Sequence, residues 1–418
     1  MLRQFDRHFL PFAFATEKTV IAALSGGSDS TALVLALNDF LKRRHPEVRL
    51  KAVTVDHGLR AGSAAEAQAA ARFCAGLGID HDIVNWTGPK PQSGISASAR
   101  LARYRLLAET AEKAGARMIV TGHTLNDQAE TVAMRERRGT GRGSAGMADA
   151  TLFDGRTWIL RPLLGVSRAD LRAMLAAKGV DWADDPGNDD LQAERIAIRR
   201  AIEAEGEAAL LRRGEAIAGA QAERRRRSEA ASALAERHFT MQEPGLLRLD
   251  ADFPADSPAA GLLLRAALAM AGGSDFLLAE DLAARLMQHL NESRTLRTAL
   301  GGAVIEKRRD GLFMYREWRG KGPGGPVRDG IWDGRFGVAD GEAPFAKGQG
   351  GRAKGAGRLA DGARDAEPAQ GGLERLVSPW ARFLPAFDFV LVSQMARLTS
   401  ARIPPDLPYA DHFAVQAS

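Results

Sequence analysis

Cysteine is almost absent from this 418-residue chain, which holds only Cys74. That excludes an intramolecular disulfide framework and any multi-cysteine zinc or iron–sulfur site within one chain. No stretch approaches 18 uninterrupted apolar residues, which excludes a membrane-spanning helix. Lysine is scarce, 10 against 47 arginines, yet the net charge is +5 and the isoelectric point near 9.5. This excess favours a polyanionic partner only mildly, because a GC-rich genome also enriches Arg, Ala and Gly. The N-terminus does not read as a secretion leader: Pro11 interrupts the short apolar run Phe9–Ala15, and Asp6 sits among the basic residues before it. It reads as a capping helix of a cytoplasmic protein. What is present, 45% apolar and 26% charged residues, is the balance of a soluble globular chain of two to four domains.

The first half alternates strand and helix. Strand-length apolar runs at 19–24, 50–55, 82–86 and 117–121 are separated by helical stretches at 30–43, 64–77 and 95–114. That order predicts an α/β domain with a parallel, Rossmann-like sheet, whose ligands bind beyond the carboxyl ends of the strands. Residues 191–236 read as arginine-rich helix, with the run Arg224–Arg227 inside it. Two more helices flank Gly272-Gly273, and 295–316 reads as a hairpin turning at Asp310-Gly311. A small α+β region therefore follows the helical middle. Residues 322–372 hold 15 of the 44 glycines and read as a mobile linker or insertion before an apolar patch at 376–398.

The sharpest local signal is Val20–Ser30, a strand that runs into Ser25-Gly26-Gly27-Ser28-Asp29-Ser30 and then a helix. Paired glycines admit an anion close to the backbone, the serine hydroxyls donate, and a helix N-terminus favours negative charge. Phosphate or pyrophosphate binding follows. No lysine follows the glycines, so the loop is not that of the P-loop nucleotide triphosphatases. Asp29 beside phosphate is repulsive unless a cation bridges them, which assigns it to Mg²⁺. An ordinary Gly/Ser/Asp helix cap is the plainer reading.

Ser25–Ser30 matches the S-G-G-x-D-S signature of the PP-loop ATP-pyrophosphatase superfamily. Within that superfamily the first half resembles the tRNA(Ile)-lysidine synthases. The resemblance is carried by Val55–Arg60, Ala99-Arg100-Leu101-Ala102-Arg103-Tyr104, Gly122–Thr131, Arg138–Gly141, Arg161–Leu164 and Asp185–Asn188, in that order over about residues 19–200. It implies an adenine-nucleotide α-hydrolase fold and a ligase. In such a ligase ATP adenylates C2 of the wobble cytidine in a CAU-anticodon isoleucine tRNA, L-lysine then displaces AMP, and lysidine forms. Two departures stand out: Asn126-Asp127 where Asp-Asp is usual, and Gly187 where Ser is usual.

The residues fit that chemistry. Asp127 and Glu130 share a helix face and can hold a cation, either Mg²⁺ or the amine of an amino acid; a solvated helix start is the alternative. Arg100 and Arg103 share another face and suit the reacting phosphate or RNA. His123 can polarise a phosphate oxygen or merely cap the strand, and His57 can face the nucleotide or pack. Arg135, Arg138 and Arg142 form a basic loop suited to an RNA backbone, with Arg195 and Arg199 beyond it. The expected division is 1–215 catalytic, 216–320 helical plus hairpin and tRNA-binding, 321–372 linker, and 373–418 a C-terminal segment. Whether the assembly is a homodimer stays open. The competing readings are a PP-loop tRNA thiolation enzyme, for which a lone cysteine is poorly suited, and a non-catalytic RNA-binding protein.

Overall fold

The computed structural model describes residues 2–58, 62–87, 95–137, 144–153, 157–183, 191–243, 246–274, 277–317, 331–332 and 336–337. Arg138, Arg142, the 185–188 turn, most of the 322–372 stretch and all of 376–398 lie outside these. The chain falls into two compact units, divided between Ala222 and Glu223.

The first unit begins with helical turns at Leu2–Phe5, α1 (Asp6–Phe9) and Phe14–Thr16 rather than the single helix expected. Pro11 lies between α1 and the last turn and cannot continue a helix. Phe9 and Phe14 pack on Phe40, with ring centroids 5.3 and 6.2 Å apart. Then follow β1 (Thr19–Ala23), α2 (Ser28–Arg44), β2 (Arg49–Asp56), α3 (Ser63–Leu77), β3 (Asp80–Asn85), α4 (Ile95–Lys113), β4 (Met118–Val120) and α5 (Leu125–Arg137). All four expected strands and three helices are there, their ends displaced by at most two residues. A hairpin the sequence reading did not find, β5 (Ala150–Phe153) and β6 (Thr157–Leu160), and α6 (Arg168–Ala177) complete the domain. The sheet order is β3-β2-β1-β4-β6-β5, parallel except for edge strand β5. Val20, Ile21 and Ala22 are buried on both faces, as a central parallel strand requires. From β1 the chain winds outward to β2 and β3, then returns to β4 on the other side of β1. The crevice beyond the ends of β1 and β4 is thus the switch point where such sheets bind ligands.

The helical stretch after 190 is two helices, α7 (Leu191–Glu205) and α8 (Glu207–His238). Gly206, at φ +83°, breaks them because a left-handed residue ends a helix.

The second unit pairs an antiparallel sheet with an apolar helix. Its elements are β7 (Phe239–Glu243), β8 (Leu246–Asp250), α9 (Pro258–Gly272), α10 (Glu280–Glu292), β9 (Leu296–Leu300), β10 (Ala303–Arg308) and β11 (Gly311–Arg316). The order is β7-β8-β11-β10-β9. The expected hairpin is β10–β11, with Arg309-Asp310 as its turn; β9 is a third strand, separated from it by Gly301-Gly302. Leu263, Leu264 and Leu268 of α9 pack with Leu249, Ile305 and Met314 of the sheet. A side chain at Gly272 would collide with the Gly301 carbonyl, which is why the helix must end in glycine where it meets that turn. A two-stranded pair, β12 (Ile331–Trp332) and β13 (Phe336–Gly337), is also present. No helix among the described residues is long and apolar enough to cross a membrane.

Candidate active site

The Ser25–Ser30 loop leaves β1 at the switch point. Gly26 takes φ +85°, a conformation that L side chains resist. The loop is tied internally: Ser25 N donates to Ser30 Oγ at 3.1 Å, and Ser30 Oγ donates to the Gly27 carbonyl at 3.1 Å. Ser28 Oγ donates to Asp29 Oδ1 at 3.0 Å. Gly122, at the end of β4, runs against the start of α2; a side chain there would lie 2.8 Å from the Asp29 carbonyl oxygen. Sequence segments about a hundred residues apart therefore form one wall.

A cavity of about 250 Å³ opens here. Leu24, Val53, Val55 and Leu107 give it an apolar side, and Ser25, Asp29, Ser30, Gly122, His123 and Asp127 a polar one. Arg100, Arg103 and Tyr104 of α4 line it as well. Arg100 lies over the Tyr104 ring, 5.4 Å from its centroid. Arg103 Nε donates to His57 Nε2 at 3.3 Å, so His57 meets the cavity through Arg103. His123 Nδ1 is 2.9 Å from Thr121 Oγ1, and that hydroxyl donates to the Leu160 carbonyl at 3.1 Å. Burial, and then the positive field of Arg161, Arg100, Arg103 and Arg195, hold His123 well below the usual histidine range. That environment favours the neutral ring beside the cavity.

The two carboxylates differ in their surroundings. Asp127 is the third residue of α5, and its Oδ2 accepts from Thr124 N and Thr124 Oγ1, both at 2.9 Å, which caps the helix. Its Oδ1 lies 3.0 Å from Arg195 Nη2 and 3.7 Å from Arg168 Nη2. Glu130 is one turn further in and 1% exposed; it accepts from Arg195 Nε at 2.6 Å and Arg199 Nε at 2.8 Å. A carboxylate that buried needs such partners. Asp127 lines the cavity, and Glu130 supports it through Arg195. Gln128, between them, donates to and accepts from the Met147 backbone, at 2.9 and 2.6 Å, and fixes the segment ahead of β5. Arg135 donates to the Gly146 carbonyl at 2.8 Å.

Two basic residues escaped selection as site residues in the sequence. Arg168 opens α6 and donates through Nε to Asp29 Oδ2 at 3.0 Å. Arg161 is buried beyond β6, where it donates to the Ala148 carbonyl and Thr151 Oγ1, both at 2.8 Å. Arg161 stood inside a recognisable segment, Arg161–Leu164, whereas nothing local distinguishes Arg168.

The chain matches the model of the PP-loop domain over residues 1–205. It is 41% identical to a tRNA(Ile)-lysidine synthase of Mesorhizobium japonicum over 94% of its own length and 95% of the relative's. A tRNA(Ile)-lysidine synthase of Rhizobium meliloti is 39% identical, covering 79% of this chain and 75% of that one. Among solved structures, a U34-tRNA thiolase, NcsA, of Methanococcus maripaludis with its [4Fe-4S] cluster matches 51% of this chain and 77% of its own, at 19% identity and a TM-score of 0.45.

Proposed function

Since the chain belongs to the tRNA(Ile)-lysidine synthase family, a family of ATP-using ligases, we propose how its cavity joins L-lysine to C2 of the wobble cytidine in a CAU-anticodon isoleucine tRNA. The observation that carries the reading is the placement of the Ser25–Ser30 loop, with its Asp29, and of Asp127 around one cavity at the switch point. The triphosphate lies along Ser25–Ser30 and the start of α2, where backbone N–H groups and hydroxyls receive it. The adenosine takes the apolar side formed by Leu24, Val53, Val55 and Leu107.

The cytidine O2 attacks the α-phosphorus and pyrophosphate leaves, which turns a poor leaving group on C2 into a good one. Arg100 and Arg103 stand at the cavity wall and stabilise the charge that develops on the α-phosphate. Lysine's ε-nitrogen, its proton passed to Asp127, then forms the bond to C2 as AMP departs. Asp127, backed by Glu130, receives the cationic end of lysine. The side chains of Arg195 and Arg199 are partly exposed and meet the RNA backbone, with Arg135, Arg138 and Arg142 on the same duty. The reaction draws on tRNA, ATP and free lysine, which places the protein in the cytoplasm.

Mg²⁺ fits the donors present. The Asp29 carboxylate and the Ser28 hydroxyl are hard oxygen ligands, and Mg²⁺ is commonly held by one or two carboxylates together with substrate phosphates. Bound there, it would supply charge neutralisation of the triphosphate.

The test is mass spectrometry of the anticodon nucleoside after incubation with the tRNA, ATP and lysine. A gain of one lysine less one water on cytidine, with AMP and pyrophosphate released, is expected. Replacement of oxygen by sulfur would identify a thiolase instead. Cys74 is poorly placed for that chemistry: it is buried on α3, its thiol pushed up to about 11 by burial, and it is not among the residues lining the cavity.

A further inference from the structure

Asp29 and Asp127 line the same cavity from different helices, α2 and α5, and one guanidinium lies between them. Arg168 donates through Nε to Asp29 Oδ2 at 3.0 Å, and its Nη2 is 3.7 Å from Asp127 Oδ1. Its backbone is fixed independently of its side chain. Arg168 N donates to Asn126 Oδ1 at 2.9 Å, and Ser167 Oγ caps α6 by accepting from Asp170 N at 3.1 Å. The contacts that hold the backbone do not involve the guanidinium. Asn126 thereby has a role in place of the usual acid: it pins α6 to α5 next to the site.

We propose that Arg168 is a shared counter-ion that couples the two ends of the site, so that ATP binding releases Asp127 for lysine. The inference rests on the functional reading above and adds an order of binding to it. Without substrate, the guanidinium partly neutralises both carboxylates. A triphosphate on the Ser25–Ser30 loop brings a denser negative charge beside Asp29, and a planar guanidinium fork matches phosphate oxygens better than two separate carboxylates. A divalent cation arriving at Asp29 also repels the guanidinium from that oxygen. Both effects draw Arg168 toward the phosphates and away from Asp127. Arg195 remains on Asp127 and Glu130, so only the Arg168 side of Asp127 opens to an ammonium. Lysine then binds tightly only after ATP, which prevents an amine from occupying the pocket before an electrophile can form. Arg168 acts in this as a positioning residue.

Titration calorimetry of L-lysine into the full chain tests this, with and without Mg²⁺ and α,β-methylene ATP, whose α–β bridge the reaction cannot cleave. About tenfold tighter lysine binding is expected when the analogue is present, within the usual range of coupling between sites. Linkage requires lysine to tighten the analogue by the same factor. In Arg168→Gln lysine should bind the analogue-free protein as tightly as it binds the loaded wild type, with less than twofold further gain. Arg168→Lys, which keeps the charge without the fork, should retain part of the coupling and guards against a folding defect. Wild-type coupling that persists in Arg168→Gln, or lysine binding that ignores the analogue in the wild type, overturns the inference alone. Lysine that binds under no condition overturns the inference and the functional reading together.

Discussion

The two units bury different things. In the first, Ser28, Ser30, Thr121, Thr124, Asp127, Gln128, Glu130 and Arg161 are all buried, and most lie where a strand ends or a helix begins around one crevice. In the second, the buried polar side chains among the described residues are Ser228, Ser232 and Arg265. Arg265 is structural: it donates to the Leu278 carbonyl at 2.7 Å and to Glu280 at 2.9 Å, tying α9 to the segment that leads into α10. Buried charge destabilises unless it is paired, so a fold keeps it where something is gained. In the first unit Asp127 lines the cavity and Glu130, held by two arginines, stands behind it, while buried Glu17 is paired with Arg117 away from the residues that line it. The second is an alanine- and leucine-rich helix packed on a sheet, with Arg265 as its buried charge. The difference sets a charged cavity in the first unit against a mainly apolar core in the second.

Removing charge from the cavity should give the largest effect. Asp29→Ala is expected to lower tRNA-dependent pyrophosphate release about a thousandfold, about 4 kcal/mol of barrier, while tRNA affinity stays within about twofold of wild type. Quenched-flow measurement of pyrophosphate and filter binding of tRNA read the two quantities separately. Pyrophosphate release at the wild-type rate would break the comparison, since a polar group at the cavity would then be only structural.

How much of this was legible follows from how far apart in sequence the partners lie. Val20–Ser30 holds strand, loop and helix start within eleven residues, so its continuous apolar run, paired glycines and hydroxyls could be read together. Asp127 and Glu130 are three apart on one helix, and their shared face follows from the helical period alone. The arginines that neutralise them do not follow. Arg168 is 139 residues from Asp29, and Arg195 is 68 from Asp127. Only the fold brings them together, and an arginine-rich chain gives no reason to single them out. β5 and β6 escaped for a different reason: each is four residues long, at the lower limit of a strand signal, and lacks the longer apolar run 117–121 that gave away the three-residue β4. In the second unit β9 ends at Gly301-Gly302, next to a glycine-ended helix, and that three-glycine contact is invisible until α9 is laid on the sheet.

Damage to the packed unit should instead cost stability. Leu264 is fully buried on α9 against the sheet. Leu264→Ala is expected to destabilise the second unit by about 3 kcal/mol, seen as an earlier urea transition, with the affinity for an ATP analogue unchanged. Loss of analogue binding in step with stability would show that the two units do not divide the work as their buried groups suggest.

The smallest expected effect asks whether a half-buried titratable group of the first unit away from the cavity belongs to the chemistry. His8 lies on α1 and is not among the residues lining the cavity. Its Nε2 accepts from Arg7 Nε at 3.1 Å, and burial, with Arg7 beside it, lowers its pKa to about 4. An unfolded histidine titrates near 6.5, so between these values the unfolded chain binds a proton that the folded chain refuses. His8 therefore leaves stability intact above about pH 6.5 and erodes it as the pH falls toward 4. The ring is partly exposed, so solvent screening reduces the effect, and about 1 kcal/mol at pH 5 is a reasonable size. His8→Asn, which cannot titrate, should lose correspondingly less stability than wild type between pH 7 and pH 5, as measured by urea midpoints. Its pyrophosphate release should follow the wild-type pH profile across the same range. A change in that profile would tie α1 to the cavity and extend the chemical region of the first unit to its N-terminal cap.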